Sequence, residues 1–304
     1  MNARDIHLAE FPIGIIGLGR MGLPIAQRLQ DRGFQMLGFD LSRERCHLAL
    51  DVGIAIAPSL PELIHRCKII LVCVLGGDAV IDIVNTIESN QHDVPHGGTL
   101  VDLSTTPFQL TKKLAQRLRV SCAIGWVDAP VSGGPTKASQ GNLALMAGGC
   151  GLDLKKVMPL LKYITKHPVH MGPTGAGQAA KMVNQLLALS NYCLLAEAIE
   201  LARSADVNLS LIPQALKGGH ADSVLLQDVF PGMASHHYGM ASRIGQMADD
   251  LRTLINYAHE LGIALPVATR VHQLYEQAVE EGYEDLAGPA LAAYYDHFWE
   301  GLPS

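Results

Sequence analysis

The tightest constraint on this chain lies in residues 11–40. An apolar run at 11–17 is followed at once by Gly17-Leu18-Gly19-Arg20-Met21-Gly22. Residues 23–30 then carry helical periodicity, and a second apolar run at 34–39 ends in Asp40. Strand, GxGxxG, helix, strand, acid is the order that a dinucleotide-binding unit requires. Gly17 permits the tight turn, Gly19 lets a pyrophosphate approach the backbone, and Gly22 lets helix and strand pack closely. The helix N-terminus then faces the phosphates with unpaired N–H groups. Pro24 is harmless this early in a helix, where its missing N–H would be unpaired anyway.

Asp40 bears on the cofactor. A carboxylate at the end of the second strand accepts hydrogen bonds from ribose hydroxyls and repels a 2′-phosphate, which favours NAD. Arg43 is close enough in sequence to hold such a phosphate, so NADP stays open. The alternation continues with strands at 68–75, 99–103, 125–129, 143–149 and 168–171. Helices are expected at 79–87, from about 107 to 118, and at 152–164. The unbroken apolar runs at 68–75 and 99–103 suit a parallel sheet covered on both faces. Ligands bind at the carboxyl ends of such strands, so Leu75 and Thr105 are expected on the nicotinamide side. Thr105 reads equally well as a helix cap.

Beyond residue 171 the alternation stops. Gly172-Pro-Thr-Gly-Ala-Gly-Gln-Ala-Ala-Lys181-Met-Val-Asn184 passes from a glycine-rich turn into one long helix. Over 177–207 that helix would be about 45 Å long at 1.5 Å per residue. No small domain needs such a helix, and the plain reading is that it joins two domains, with a cleft at its start. Lys181 and Asn184 stand three positions apart and share a face. Further helices are expected at 211–217, 239–261, 266–281 and 289–298. The polar loop 218–223, with His220 and Ser223, could face a cleft. Ser132-Gly133-Gly134 offers a hydroxyl and exposed backbone N–H groups, suited to a small carboxylate.

Composition excludes other classes. The net charge is −6 with no basic run, which argues against nucleic acid. No stretch of 18 uninterrupted apolar residues is present, so no membrane span is expected. Six cysteines lack a CxxC pair and thirteen histidines lack an HExxH spacing. Reduced thiols in a cytoplasmic protein, and no metal, are the plain expectation. The apolar surplus of the helical half suggests a homodimer or homotetramer.

Taken together, these stretches resemble the β-hydroxyacid dehydrogenase family, the group of 3-hydroxyisobutyrate dehydrogenases and tartronate semialdehyde reductases. The resemblance rests on Gly17 to Pro24, on Asp128-Ala-Pro-Val-Ser132-Gly133-Gly134 with Gly141 and Met146-Ala-Gly-Gly149, and on Gly172 through Lys181 to Asn184. It implies an α/β chain with an N-terminal Rossmann domain, a doubly wound parallel sheet, at 1–172. An all-helical domain at 173–304 would follow, joined through the long interdomain helix and serving substrate binding and dimerisation. It also implies reversible NAD(P)-linked oxidation of a small 3-hydroxy carboxylate. Lys181 matches the catalytic lysine and Asn184 the substrate-positioning asparagine. Ser132, Gly133 and Gly134 match the carboxylate-binding turn, and Ser223 is grouped with them. Where the family pattern places a lysine beside the cofactor, this chain has Asp249. That swap removes a positive charge and raises the prospect of a β-hydroxy amino acid substrate, or of compensation from Arg243, Arg252 or a histidine. An imine reductase on the same scaffold and a non-catalytic dinucleotide-binding protein are the alternatives.

Overall fold

The computed structural model of the chain describes residues 11–92, 95–239 and 242–300. The chain divides into two compact units, the first ending with Lys181 and the second beginning with Met182. From sequence the division is expected at 172/173.

The first unit alternates strand and helix. β1 (Ile13–Ile16), α1 (Gly22–Gln30), β2 (Met36–Phe39), α2 (Arg43–Asp51), β3 (Ala55–Ile56), α3 (Leu60–Arg66), β4 (Ile69–Val72) and α4 (Gly76–Ser89) come first. β5 (Thr99–Asp102), α5 (Phe108–Cys122), β6 (Gly125–Asp128), β7 (Val131–Ser132), α6 (Gly134–Gln140), β8 (Ala144–Gly149), α7 (Gly151–Leu161) and β9 (Val169–Gly172) complete it. The sheet order is β3-β2-β1-β4-β5-β6-β8-β7, with β9 paired to β8. β1 to β6 pair in parallel along this path, whereas β8 runs antiparallel to β6 and β7. The order reverses at β1 and β4, so the loops after those strands open a crevice for ligand.

Side-chain alternation explains the two layers. Ile13 and Ile15 of β1, Leu71 of β4 and Val127 of β6 pack with α1 and α7 on one face. Ile16, Ile70, Val72, Leu100 and Trp126 pack with α3, α4 and α5 on the other. Both faces are covered, which accounts for strands that read as apolar runs. All but the last of the expected strands are one to four residues shorter than the runs that mark them, because the run continues into buried loop positions such as Leu103. Several elements were not expected from sequence: α2, α3, β3, β7 and α6. The last begins inside the Ser-Gly-Gly stretch that reads as a loop.

The second unit is helical. α8 (Ala176–Ser204) is one uninterrupted helix of 29 residues, and the division between the units falls within it. α9 (Ile212–Leu216), α10 (Val224–Asp228), α11 (Phe230–Ala234), α12 (Ile244–Glu260), α13 (Pro266–Ala278) and α14 (Leu291–Glu300) follow. Residues 240 and 241 of the helix expected at 239–261 lie outside the described residues. A core of Met182, Leu189, Cys193, Ala196 and Ile199 from α8 meets Phe230, Met233, Leu251, Tyr275 and Leu291. The fully buried Tyr275 hydroxyl donates to Leu189 O at 3.2 Å, so its polar atom is satisfied. No helix among the described residues is long and apolar enough to cross a membrane.

Candidate functional site

The glycine turn is built as its spacing demands. Gly17 has φ +94°, and a Cβ there would overlap the carbonyl of Cys73 at the end of β4. A Cβ on Gly22 would overlap Gly17 O, so Gly22 is what lets α1 start against the turn. Gly19 differs: only the Arg45 guanidinium comes within 4 Å of its Cβ position, at 3.7 Å. Leu18 is buried, Met21 caps α1 through its backbone, and Arg20 is exposed. No side chain caps α1. An open glycine backbone beside a helix start without a side-chain cap fits a dinucleotide pyrophosphate.

Asp40 closes this loop. Its Oδ2 accepts from Leu18 N–H and its Oδ1 from Ser42 N–H, both at 2.8 Å. Arg45 Nη1 stands 3.6 Å from Oδ2, half exposed against a carboxylate only 7% exposed. Ser42 caps α2 by accepting from Arg45 N–H, which turns the third helical residue back toward Asp40. Arg43 was the cation singled out from sequence, yet the cation beside Asp40 is Arg45. Leu75 caps α4 through its backbone with its side chain 78% exposed. Thr105 is half-buried in the loop after β5 and does not cap α5, whose cap is Pro107.

The loop after β5 also carries a buried polar network that the sequence did not announce. Asp102 is fully buried at the end of β5. Its Oδ1 accepts from Ser104 N–H at 3.0 Å and its Oδ2 from the Thr106 hydroxyl at 2.8 Å. Thr106 N–H donates to Gln178 Oε1 at 3.1 Å, and Gln178 Nε2 donates to Ser104 O at 2.8 Å. Gln178 lies in the first turn of α8, so this loop and the helix start are tied together. Burial, opposed by the hydrogen bonds from Thr106 and Ser104, pushes the Asp102 carboxyl up to about 7. Burial also raises Asp128, at the end of β6, although the N–H groups of Gly175 and Gln178 pull it back.

Lys181 is one helical turn further on. Its side chain is buried, with the residue only 6% exposed, and Nζ donates to Val131 O at 3.0 Å. Val131 precedes Ser132, which pairs with Ala144 in the β7–β8 ribbon. Gly133 (φ +132°) and Gly134 (φ +75°) turn the chain directly into α6. The amine and the Ser132-Gly133-Gly134 turn are therefore neighbours.

Of the remaining candidates, Asn184 is half-buried on α8 and its Nδ2 donates to Gln185 Oε1 at 3.0 Å. Gln185 Nε2 in turn donates to Asp250 Oδ2 at 2.6 Å. Ser223 caps α10, its hydroxyl oxygen accepting from Leu226 N–H at 3.0 Å. Asp249 lies on the exposed side of α12 and pairs with Arg252 at 2.8 Å. Its charge is thus compensated one turn along the same helix, and Arg243 is paired instead with Asp285 at 2.6 Å. Among the described residues no His/Cys/Asp/Glu group could hold a metal ion.

Comparison with known proteins agrees with this construction. Residues 12–172 match the model of the NAD-binding domain of 6-phosphogluconate dehydrogenase. Residues 175–295 match the model described as NAD-binding of NADP-dependent 3-hydroxyisobutyrate dehydrogenase. An uncharacterized oxidoreductase of Synechocystis is 30% identical over 93% of this chain and 97% of its own length. The mitochondrial 3-hydroxyisobutyrate dehydrogenase of mouse is 27% identical over 90% of this chain and 84% of its own. A solved 3-hydroxyisobutyrate dehydrogenase of Mycobacterium tuberculosis with L-serine superposes with a TM-score of 0.83. It covers 94% of this chain and 99% of its own at 23% identity, a likeness of fold.

Proposed function

We propose, for a chain that belongs to the β-hydroxyacid dehydrogenase family and is an NAD(P)-dependent hydroxyacid oxidoreductase, that Lys181 carries the proton for a small 3-hydroxy carboxylate such as 3-hydroxyisobutyrate or glycerate. The observation that carries this reading is the buried Lys181 amine donating to Val131 O beside the Ser132 turn. Residues 1–172 form the cofactor-binding domain in this reading, and 173–304 the substrate and dimerisation domain.

Gly17, Leu18, Gly19, Arg20, Met21 and Gly22 would hold the pyrophosphate, and Asp40 the adenosine ribose; Leu75 and Thr105 would line the nicotinamide side. A nicotinamide bound there would accept and donate the hydride. The chain supplies the rest. The N–H groups of the Ser132-Gly133-Gly134 turn bind the substrate carboxylate and fix which carbon is presented. Lys181 Nζ takes the hydroxyl proton in oxidation and returns it in reduction. Asn184 holds the hydroxyl oxygen. The carbonyl of Val131 keeps the amine aimed while it waits.

The preferred cofactor in this reading is NAD, because Asp40 is buried and held toward the glycine turn, although Arg45 leaves NADP usable. The pairing of Asp249 with Arg252 supports the unsubstituted hydroxy acids over an amino substrate. Val183, Leu187, Leu194 and Leu201 form an exposed apolar stripe along α8, which supports a homodimer or homotetramer. A cytoplasmic location is kept from the cysteine pattern.

The test is Lys181→Ala, with NAD and NADP assayed against 3-hydroxy acids with and without a 2-amino group. Turnover is expected to fall by about two to four orders of magnitude with NADH binding intact. Near-normal turnover would place the proton carrier elsewhere.

A further inference from the structure

Lys181 is presented by the start of α8. That start is seated on a single carboxylate. Asp128 is fully buried at the end of β6. Its Oδ1 accepts from Gly175 N–H at 2.8 Å and its Oδ2 from Gln178 N–H at 3.1 Å. An isolated helix leaves its first N–H groups without partners, and here a side chain 47 residues away in sequence supplies them.

The seat is shaped as well as charged. A Cβ on Gly177 would overlap both Asp128 O and Met146 O. A Cβ on Gly148 of β8 would come within 2.6 Å of Asp128 Oδ2 and 2.5 Å of Gly177 N. Two glycines thus let the helix end sink between β6 and β8 until the carboxylate reaches its amides. Gln178 fastens the same turn to the loop after β5. Lys181 follows Gln178 by three residues, and Val131 follows Asp128 by three along the strand side. Asp128 therefore sits where the two chains that must present Lys181 Nζ and Val131 O converge.

We propose that Asp128 is a positioning residue, acting through the N-terminus of α8 to hold Lys181 against the Ser132 turn. The inference rests on Lys181 as the proton carrier. Asp128→Asn keeps the volume but leaves one oxygen to accept from two N–H groups, with an NH₂ facing the other. A displacement of the amine of about 1 Å is enough to cost about a hundredfold in rate.

The experiment is a double-mutant cycle on the full chain. D128N is expected to lower kcat by roughly ten- to a hundredfold. The substrate KM should move less than about threefold and NADH affinity less than about twofold, since the Gly17–Gly22 turn is formed by other strands. In the K181A background the same change is expected to cost less than about twofold, because there is no amine left to misplace. Gly177→Ala, which leaves every charge in place, should reproduce the loss in kcat with NADH binding retained. An equal factor for D128N with and without Lys181 would overturn the proposal, as would loss of NADH binding in step with kcat. K181A active at the wild-type level would instead remove the reading of Lys181 on which the proposal stands.

Discussion

Replacing Asp102 with asparagine should change how stability depends on pH, and by an amount the structure sets. The carboxyl sits fully buried and its pKa is pushed from 3.8 to about 7, chiefly by burial. Because the folded value lies above the unfolded one, the folded chain keeps a proton that the unfolded chain releases. The stability this proton contributes is fully present below pH 3.8. It drains away as pH rises toward 7, and is gone above it. At 1.36 kcal/mol per pH unit, the whole interval is worth about 4 kcal/mol. Asparagine does not titrate, and the Thr106 hydroxyl can turn to accept from its amide. D102N should therefore gain about 4 kcal/mol on the wild type between pH 4 and pH 8.

The measurement is urea unfolding across that range, followed by the emission of Trp126. Trp126 is buried in the same unit as Asp102, and Trp299→Phe removes the only other tryptophan. Parallel stability curves for the two proteins would refute the reasoning, since they would mean that Asp102 titrates alike folded and unfolded.

Two other predictions are simpler. Burial pushes the thiols of Cys67, Cys73 and Cys193 up to about 12, whereas Cys150 is exposed, so maleimide at pH 7.5 should modify Cys150 first. Mass spectrometry of a time course checks the order, and early labelling at Cys193 would contradict the packed second core. Asp40→Ser should raise the ratio of kcat/KM for NADP to that for NAD by at least about tenfold, by freeing Arg45 to meet a 2′-phosphate. An unchanged ratio would mean that Arg45 does not reach the ribose.

Much of the fold could be read from the chain because its signals are local. The Gly17 turn lies within six residues, and parallel strands covered on both faces must be apolar throughout. The long helix was legible for the same reason, an apolar run without proline. What escaped the reading depends on distance. Asp102 stands outside every motif, Asp128 and Gln178 lie within motifs without a role of their own, and the three become a network only when β5, β6 and the start of α8 meet. Arg45 escaped for a subtler reason: Ser42 sets the phase of α2, and that phase turns the third residue toward Asp40. For Asp249 the sequence offers Arg243, Arg252 or a histidine as partner, and only the helical phase of α12 selects Arg252. α6 was missed because glycines at 133 and 134 read as a loop, whereas their positive φ values are what let a helix begin there.

The pocket formed by Gly148 and Gly177 has a bearing on any attempt to redesign the enzyme. Positions near a reacting group invite randomisation, yet these two have no room for even a methyl without dislodging the helix that rests there. On the proposed reading, substrate range should be retuned at Ser132, whose backbone N–H rather than its side chain meets the carboxylate and which lies outside the anchor. A library that varies 148 or 177 is expected to yield soluble but inert clones, a pattern easily mistaken for failed substrate recognition.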